Sequence, residues 1–269
     1  KDTVRNYTLA YNRFSELHDR KIVNITAPEL QVILDRYKDK SLSTVGTMKS
    51  VLNQMYRYAK KYYDVEDITK TLEIEYTNSA NPIHKPFTQN EIDWLWDHSD
   101  DYRAQFVLMM IYTGVRPQEF VKIETKNVHL DENYFVGGLK TDAGRERIIP
   151  IHSKVKKFFE SNYHPEKQYL IMKSNFKDLT YRDRHDNFSY ALFINTVWTP
   201  YMCEIGMDHL GHDPRHTFAT LMDKANVPDN ILKSIMGHAQ TDEKGRIDVT
   251  NSVYIHKTIE DLREAVEKI

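Results

Sequence analysis

The stretch TNSANPIHKPFTQNE, residues 77–91, is the strongest constraint on how this 269-residue chain folds. It is polar, holds two prolines and lacks apolar periodicity, which is the composition of a linker. It separates a first domain over 1–80 from a second over 88–269, with 81–87 as the connection. The chain is long enough for two domains of ordinary size.

The first domain reads as helical. In VRNYTLAYNRFSEL the apolar Val4, Tyr7, Tyr11 and Phe14 recur at three and four, which places them on one helix face. TAPEL is a helix start, with Thr26 as cap, Pro28 in the first turn and Glu29 completing a capping box. Leu30, Ile33, Leu34 and Tyr37 then form its buried stripe. A third helix from about Ser43 carries Val45, Met48, Leu52, Met55 and Ala59 inward. Its other face shows Lys49, Arg57, Lys60 and Lys61 among Tyr56, Tyr58, Tyr62 and Tyr63. Basic groups interleaved with aromatics suit a phosphate backbone, and a solvated helix edged with tyrosines has the same pattern. Net charge is of little help: it is -2 at pH 7 for the whole chain, which does not advertise a nucleic-acid partner.

In the second domain Thr88 and Glu91 form another capping box, opening a helix through Ile92, Leu95 and Trp96. AQFVLMMIYTG is an apolar helix ending at Gly114. ENYFVGGLKTDAGRERIIPIH (132–152) alternates and turns at Asp142-Ala143-Gly144, a hairpin signal. Helices resume from about Val155, and 174–190 is poorly patterned. The expected fold class is mostly α with a small β-sheet. No run of roughly 18 apolar residues marks a membrane span, and the start is not signal-like. The single cysteine, Cys203, excludes an internal disulfide framework and any multi-thiolate metal site, and fits a reducing, cytoplasmic compartment.

Two arginines stand at helix starts. In YTGVRPQEF a helix ends at Gly114 and another opens with Pro117 and Glu119, leaving Arg116 at an N-terminus that favours an anion. In GHDPRHTFAT Asp213 can cap, Pro214 fits the first position, and Arg215 and His216 occupy the first turn. Two such arginines could clamp one tetrahedral oxyanion, and either alone could be a surface ion-pair residue. His212 and His216 have the four-residue spacing of zinc ligands, with His209 as a possible third. The helix boundary between them and the lack of the usual glutamate argue against a metal.

TGVRPQEF, LKTDAGRERIIPI, HDPRHTFATLM, IMGHA and NSVYIH occur in the order and rough spacing of the tyrosine recombinases. The likeness is greatest to the integrases of phages and conjugative transposons, and its motifs cover 88–258. The resemblance implies a helical core-binding domain followed by an α+β catalytic domain. It makes Arg116 the first catalytic arginine, with Glu119 as its support. It makes Lys140 the lysine that protonates the leaving 5′ oxygen, His212 and Arg215 the H-x-x-R pair, His238 the following histidine and Tyr254 the nucleophile. The chemistry is coherent. A tyrosine hydroxyl with a pKa near 10 needs a base, and His212 can serve. The arginines and His238 can stabilise charge on the non-bridging phosphate oxygens. A phosphotyrosine bond conserves the energy of the DNA bond, so neither ATP nor a metal cofactor is required. Outside the motifs each residue has a plainer reading. Tyr254 is one of 17 tyrosines, Lys140 could discourage edge pairing, and His238 could cap a helix. His216 is expected to support structure around the site.

By the same resemblance the chain acts on double-stranded DNA with inverted core sites. It would do so as a homodimer on one site and a homotetramer in synapsis, at a bacterial nucleoid, with a possible accessory excision factor. An arm-binding domain upstream of Lys1 is also expected, and the alternative within the family is a Xer-like resolving recombinase. Fifteen residues separate His238 from Tyr254, more than in most relatives, and the insertion at about 239–250 is expected to touch DNA or a neighbouring subunit. The amphipathic tail with Ile259, Leu262, Val266 and Ile269 could pack on its own domain, and the resemblance implies docking on an adjacent protomer. Readings outside this class are a metal-dependent nuclease using His212 and His216, and a non-catalytic DNA-binding relative.

Overall fold

A computed structural model describes residues 2–74, 84–138, 146–175, 186–238 and 257–269. The chain forms two compact units, Lys1–Ile83 and His84–Ile269. The second therefore begins earlier than residue 88. Phe87 is already buried in its core, and its N–H donates to Thr217 Oγ1 at 2.8 Å.

The first unit consists of α1 (Asp2–Asn12), α2 (Ala27–Asp35) and α3 (Leu42–Tyr63), with two short 3-10 turns between α1 and α2 and a third after α3. The expected capping box opens α2, with the Glu29 carboxylate taking both Thr26 N and Thr26 Oγ1. Leu30, Ile33 and Leu34 are buried as the pattern requires. The stripes of the other two helices are rotated from the expectation. Phe14 is buried as expected, but Val4 and Tyr11 are exposed and Ala10 is buried in their place. On α3 Met55 faces out and Tyr56 is 2% exposed. The two flank the row of Val45, Met48, Leu52 and Ala59 on opposite sides, and Tyr56 is the one that packs inward, its hydroxyl donating to the Ile22 carbonyl. Of the basic residues on α3, Lys49 is half-buried and donates to the Leu72 carbonyl, fastening the turn after the helix. Arg57, Lys60 and Lys61 are exposed beside the exposed Tyr58, Tyr62 and Tyr63.

The second unit is mostly α with a three-stranded antiparallel sheet. Its elements are α4 (Gln89–Asp97), α5 (Tyr102–Thr113), the single turn α6 (Pro117–Phe120), β1 (Val128–His129), β2 (Tyr134–Gly137), β3 (Arg147–Pro150) and α7 (Ser153–Asn162). There follow α8 (Tyr190–Phe193), running through a π turn into α9 (Thr199–Glu204), then α10 (Asp213–Lys224), α11 (Asp229–Met236) and α12 (Ile259–Val266). The hairpin pairs Tyr134 with Pro150 and Gly137 with Arg147. The two-residue β1 adds a strand that alternation could not show.

Helix α5 is the axis of this unit, buried at every position from Phe106 to Thr113. It stops at Gly114, whose φ of 62° lies in the left-handed region that favours glycine. A Cβ there would come within 2.3 Å of the Phe218 ring, so α10 crosses α5 at this point because no side chain intervenes. Helix α12 packs on its own unit. Leu262, Ala265 and Val266 are buried with Phe218, Met222, Ile235 and Met236, and the Glu267 carboxylate accepts from Ser153 N at 2.7 Å and Ser153 Oγ at 2.6 Å. Tail packing within the same domain, one of the two readings open in the sequence, is the arrangement seen.

Candidate active site

The turn of α6, the strand β3 and the start of α10 bring three guanidiniums around one carboxylate. Glu119 is 4% exposed. Its Oε2 accepts from Arg147 Nη2 at 2.7 Å and its Oε1 from Arg116 Nη1 at 3.0 Å. Arg147 also donates Nε–H to the Ile235 carbonyl at 2.8 Å, which joins the sheet to the end of α11. Burial pushes the Glu119 carboxyl up, but the hydrogen bond and charge of Arg147, with Arg116 behind, hold it below the usual carboxylate range. Arg116 stands at a helix start as the sequence implies, but the anion-favouring dipole expected there has little helix behind it. The helix it precedes is a single turn, so Glu119 rather than aligned backbone fixes it.

Arg215 is 6% exposed and held by backbone: Nη1 donates to Gly114 O at 2.7 Å, and Nη2 to Met236 O at 2.6 Å. The left-handed glycines ending α5 and α11 thus aim these carbonyls at one arginine. Burial, then repulsion from Arg116 and Arg147, pushes Arg215 down to about 9, with Glu119 partly offsetting them. It remains a cation at neutral pH. Arg116, Arg147 and Arg215 against the one carboxylate of Glu119 leave two formal positive charges in this group. Buried like charges of this kind are relieved by an anion.

Two histidines flank the arginines. His238 follows the α11 cap, and its Nε2 lies 3.0 Å from Arg215 Nη2. A guanidinium only donates, so Nε2 accepts and the ring's own N–H is on Nδ1. Burial and the charges of Arg215 and Arg116 push His238 down to about 4, so it is neutral at pH 7. His212 is the N-cap of α10 and makes no side-chain capping bond. Burial first, then His84 and Arg215, lowers it from the ordinary histidine value. A lowered pKa leaves the imidazole free to take a proton at neutral pH.

Asp213 does not cap α10. It is the first helical residue, and its 1%-exposed carboxylate turns back to accept from Leu210 N at 2.9 Å, His209 Nδ1 at 3.1 Å and His84 Nδ1 at 3.0 Å. His209 is thereby tied to carboxylates at both nitrogens, with Glu91 Oε1 3.3 Å from Nε2. His216 is exposed and stacks on His84. Among the described residues no group of three His, Cys, Asp or Glu is disposed to hold a metal ion. Lys140, Tyr254 and the insertion at 239–250 lie outside the described residues.

Sequence reasoning therefore placed Arg116, Glu119, His212, Arg215 and His238 together, and missed Arg147. The available signal was an arginine at the head of the apolar run RIIP, at a strand position that proves 8% exposed.

Residues 85–260 match the phage integrase family. The chain belongs to that family, the tyrosine recombinases, which cleave and rejoin DNA through a tyrosine intermediate. It is similar to tyrosine recombinase XerA of Pyrococcus horikoshii, 25% identical over 275 residues that cover 100% of this chain and 87% of the relative. Its fold is similar to the Tn1549 transposon integrase in complex with transposon right end DNA, with a TM-score of 0.69 and 19% identity over 98% of this chain and 93% of that one. It is similar also to a lambda integrase dimer bound to a COC′ core site, with a TM-score of 0.70 and 15% identity over 91% of this chain and 70% of that one.

Proposed function

We propose that this chain is the site-specific recombinase of a mobile element, integrating and excising it through a 3′-phosphotyrosyl intermediate formed by Tyr254. The observation that carries the reading is the arginine group, whose two excess positive charges lie beside a deprotonated His212. Arg116 and Arg215 hold the scissile phosphate and stabilise charge developing on its non-bridging oxygens. Arg147 holds Glu119, which holds Arg116. His212 takes the proton of the Tyr254 hydroxyl as its oxygen bonds to phosphorus and the bond to the 5′ oxygen breaks. Lys140 gives that oxygen a proton. His238 contributes its Nδ1–H while its Nε2 stays with Arg215.

The first unit serves as the core-binding domain, with Arg57, Lys60 and Lys61 meeting the phosphate backbone; Lys49 is engaged in the fold. The lambda integrase dimer on a core site supports two protomers on one inverted site, with synapsis of two sites as a tetramer. An accessory factor sets direction, and the protein works in the bacterial cytoplasm at the nucleoid. The Tn1549 likeness supports a mobile element. The XerA relative, matched along this whole chain, supports a second reading as a resolving recombinase. Recombination between the two ends of an element selects the first reading, and recombination only between copies of one chromosomal site selects the second.

On a nicked substrate carrying its core site, the enzyme is expected to form a covalent protein–DNA adduct in full yield with excess EDTA. Cleavage that EDTA abolishes, with no adduct at any time, would establish a metal-dependent nuclease instead.

A further inference from the structure

The chain from His84 to Glu91 is bonded at three places to residues at and just before the start of α10. His84 Nδ1 donates to Asp213 Oδ1 at 3.0 Å. Phe87 donates its N–H to Thr217 Oγ1 and stacks on His209, with ring centroids 3.7 Å apart. Glu91 lies 3.3 Å from His209, while its other oxygen takes Thr88 N and Oγ1 at 2.7 Å. Carboxylate oxygens only accept, so the His84 proton is on Nδ1 and the orientation of that ring is fixed.

The consequence falls on His212. Among the described residues its ring has no hydrogen-bond partner, and two other rings lie beside it. His84 lies 5.9 Å away at 52°, and Tyr190 on α8 lies 6.3 Å away at 74°. His84 is itself clamped, between Asp213 and a stacked His216 at 4.9 Å and 15°. A general base needs an orienting neighbour, and in acyl-transfer triads a carboxylate supplies it directly. Here the orienting carboxylate reaches the base one ring removed.

We propose that His84 is a positioning residue: anchored on Asp213 and stacked against His216, it holds the His212 ring where it can take the tyrosine proton. The inference rests on His212 being that base. The groups facing His212 are His84 from the entering segment, Tyr190 from α8, Arg116 from α6, and Arg215 and His216 from α10. Burial is the larger cause of the lowered His212 value and the neighbouring His84, its ring 5.9 Å away, is the next. Without His84 the imidazole is better solvated and easier to protonate, so its pKa rises towards the ordinary value.

The test is single-turnover cleavage of a nicked core-site substrate against pH, for wild type, His84→Ala, His84→Asn, His212→Ala and the double variant His84→Ala/His212→Ala. A misplaced catalytic group slows chemistry by roughly ten- to a hundredfold. His84→Ala is expected to show such a loss with DNA affinity unchanged within about twofold, and with the acidic limb of the profile moved to higher pH. Asparagine keeps a donor for Asp213 and should recover most of the rate. In the His212→Ala background, His84→Ala should slow cleavage no further. An unmoved acidic limb in His84→Ala, or an equal loss in the His212→Ala background, overturns the positioning role and leaves the base assignment standing. If His212→Ala itself keeps the wild-type rate and acidic limb, the base assignment falls and this inference falls with it.

Discussion

Arg215→Ala is expected to reduce DNA cleavage about a hundred- to a thousandfold, because it removes a preorganised cation from the phosphate site, where a single donor is worth roughly 10²–10³ in rate. Arg215 also satisfies the carbonyls of Gly114 and Met236, and leaving a buried acceptor unpaired costs about 1–3 kcal/mol. The alanine variant should therefore be less stable as well. Arg215→Lys separates the two effects. It restores the charge but offers a single ammonium in place of a planar fork that spans both carbonyls and His238. Cleavage by the lysine variant should remain at least about tenfold below wild type with most of the stability recovered. Single-turnover rates and thermal unfolding of the two variants make the comparison. A lysine variant that cleaves at the wild-type rate would mean that charge alone matters at this position.

Glu119→Ala is expected to be among the most destabilising substitutions in the second unit, at about 3–5 kcal/mol, the range for removing one partner of a buried ion pair. It leaves Arg147, whose side chain is 6% exposed, facing Arg116 without a carboxylate between them. Glu119→Gln keeps the shape and one acceptor, and should lose less. The pH dependence has a fixed sign. The folded-state carboxyl sits below its unfolded value, so its stabilisation is fully present above the unfolded pKa, near 4.3. That contribution disappears as pH falls through the folded value. The stability difference between wild type and Glu119→Gln, measured by urea unfolding, should be constant near neutrality and shrink on acidification. A difference that grows in acid would contradict the ion-pair account.

How much was legible in the sequence follows from how local each cause is. The capping boxes at Thr26 and Thr88 and the glycine stop at 114 depend on residues within one turn, and each is present. The start of α10 was displaced by one residue because Asp213 has distant partners, His84 among them, that compete with its own backbone for the carboxylate. Tyr56 and Met55 exchanged places because both are apolar and adjacent, and only packing on Ile22 and its neighbours selects a phase. The role of Arg147 could not be read from its place at the head of RIIP for the same reason. Its meaning lies in Glu119, 28 positions away, and in the Ile235 carbonyl, 88 positions away, and no spacing rule connects them. The motif arginines and histidines could be grouped because the resemblance joined them, and the geometry then supplies the physical reason. Two helix ends and a strand converge on one carboxylate.

The central claim is that this group of arginines and histidines serves a covalent step at one tyrosine. Tyr254→Phe on a nicked core-site oligonucleotide tests it most directly. Phenylalanine removes only the hydroxyl, so binding should match wild type while the protease-sensitive protein–DNA adduct vanishes. An adduct that still forms with Tyr254→Phe would place the nucleophile elsewhere and contradict the account.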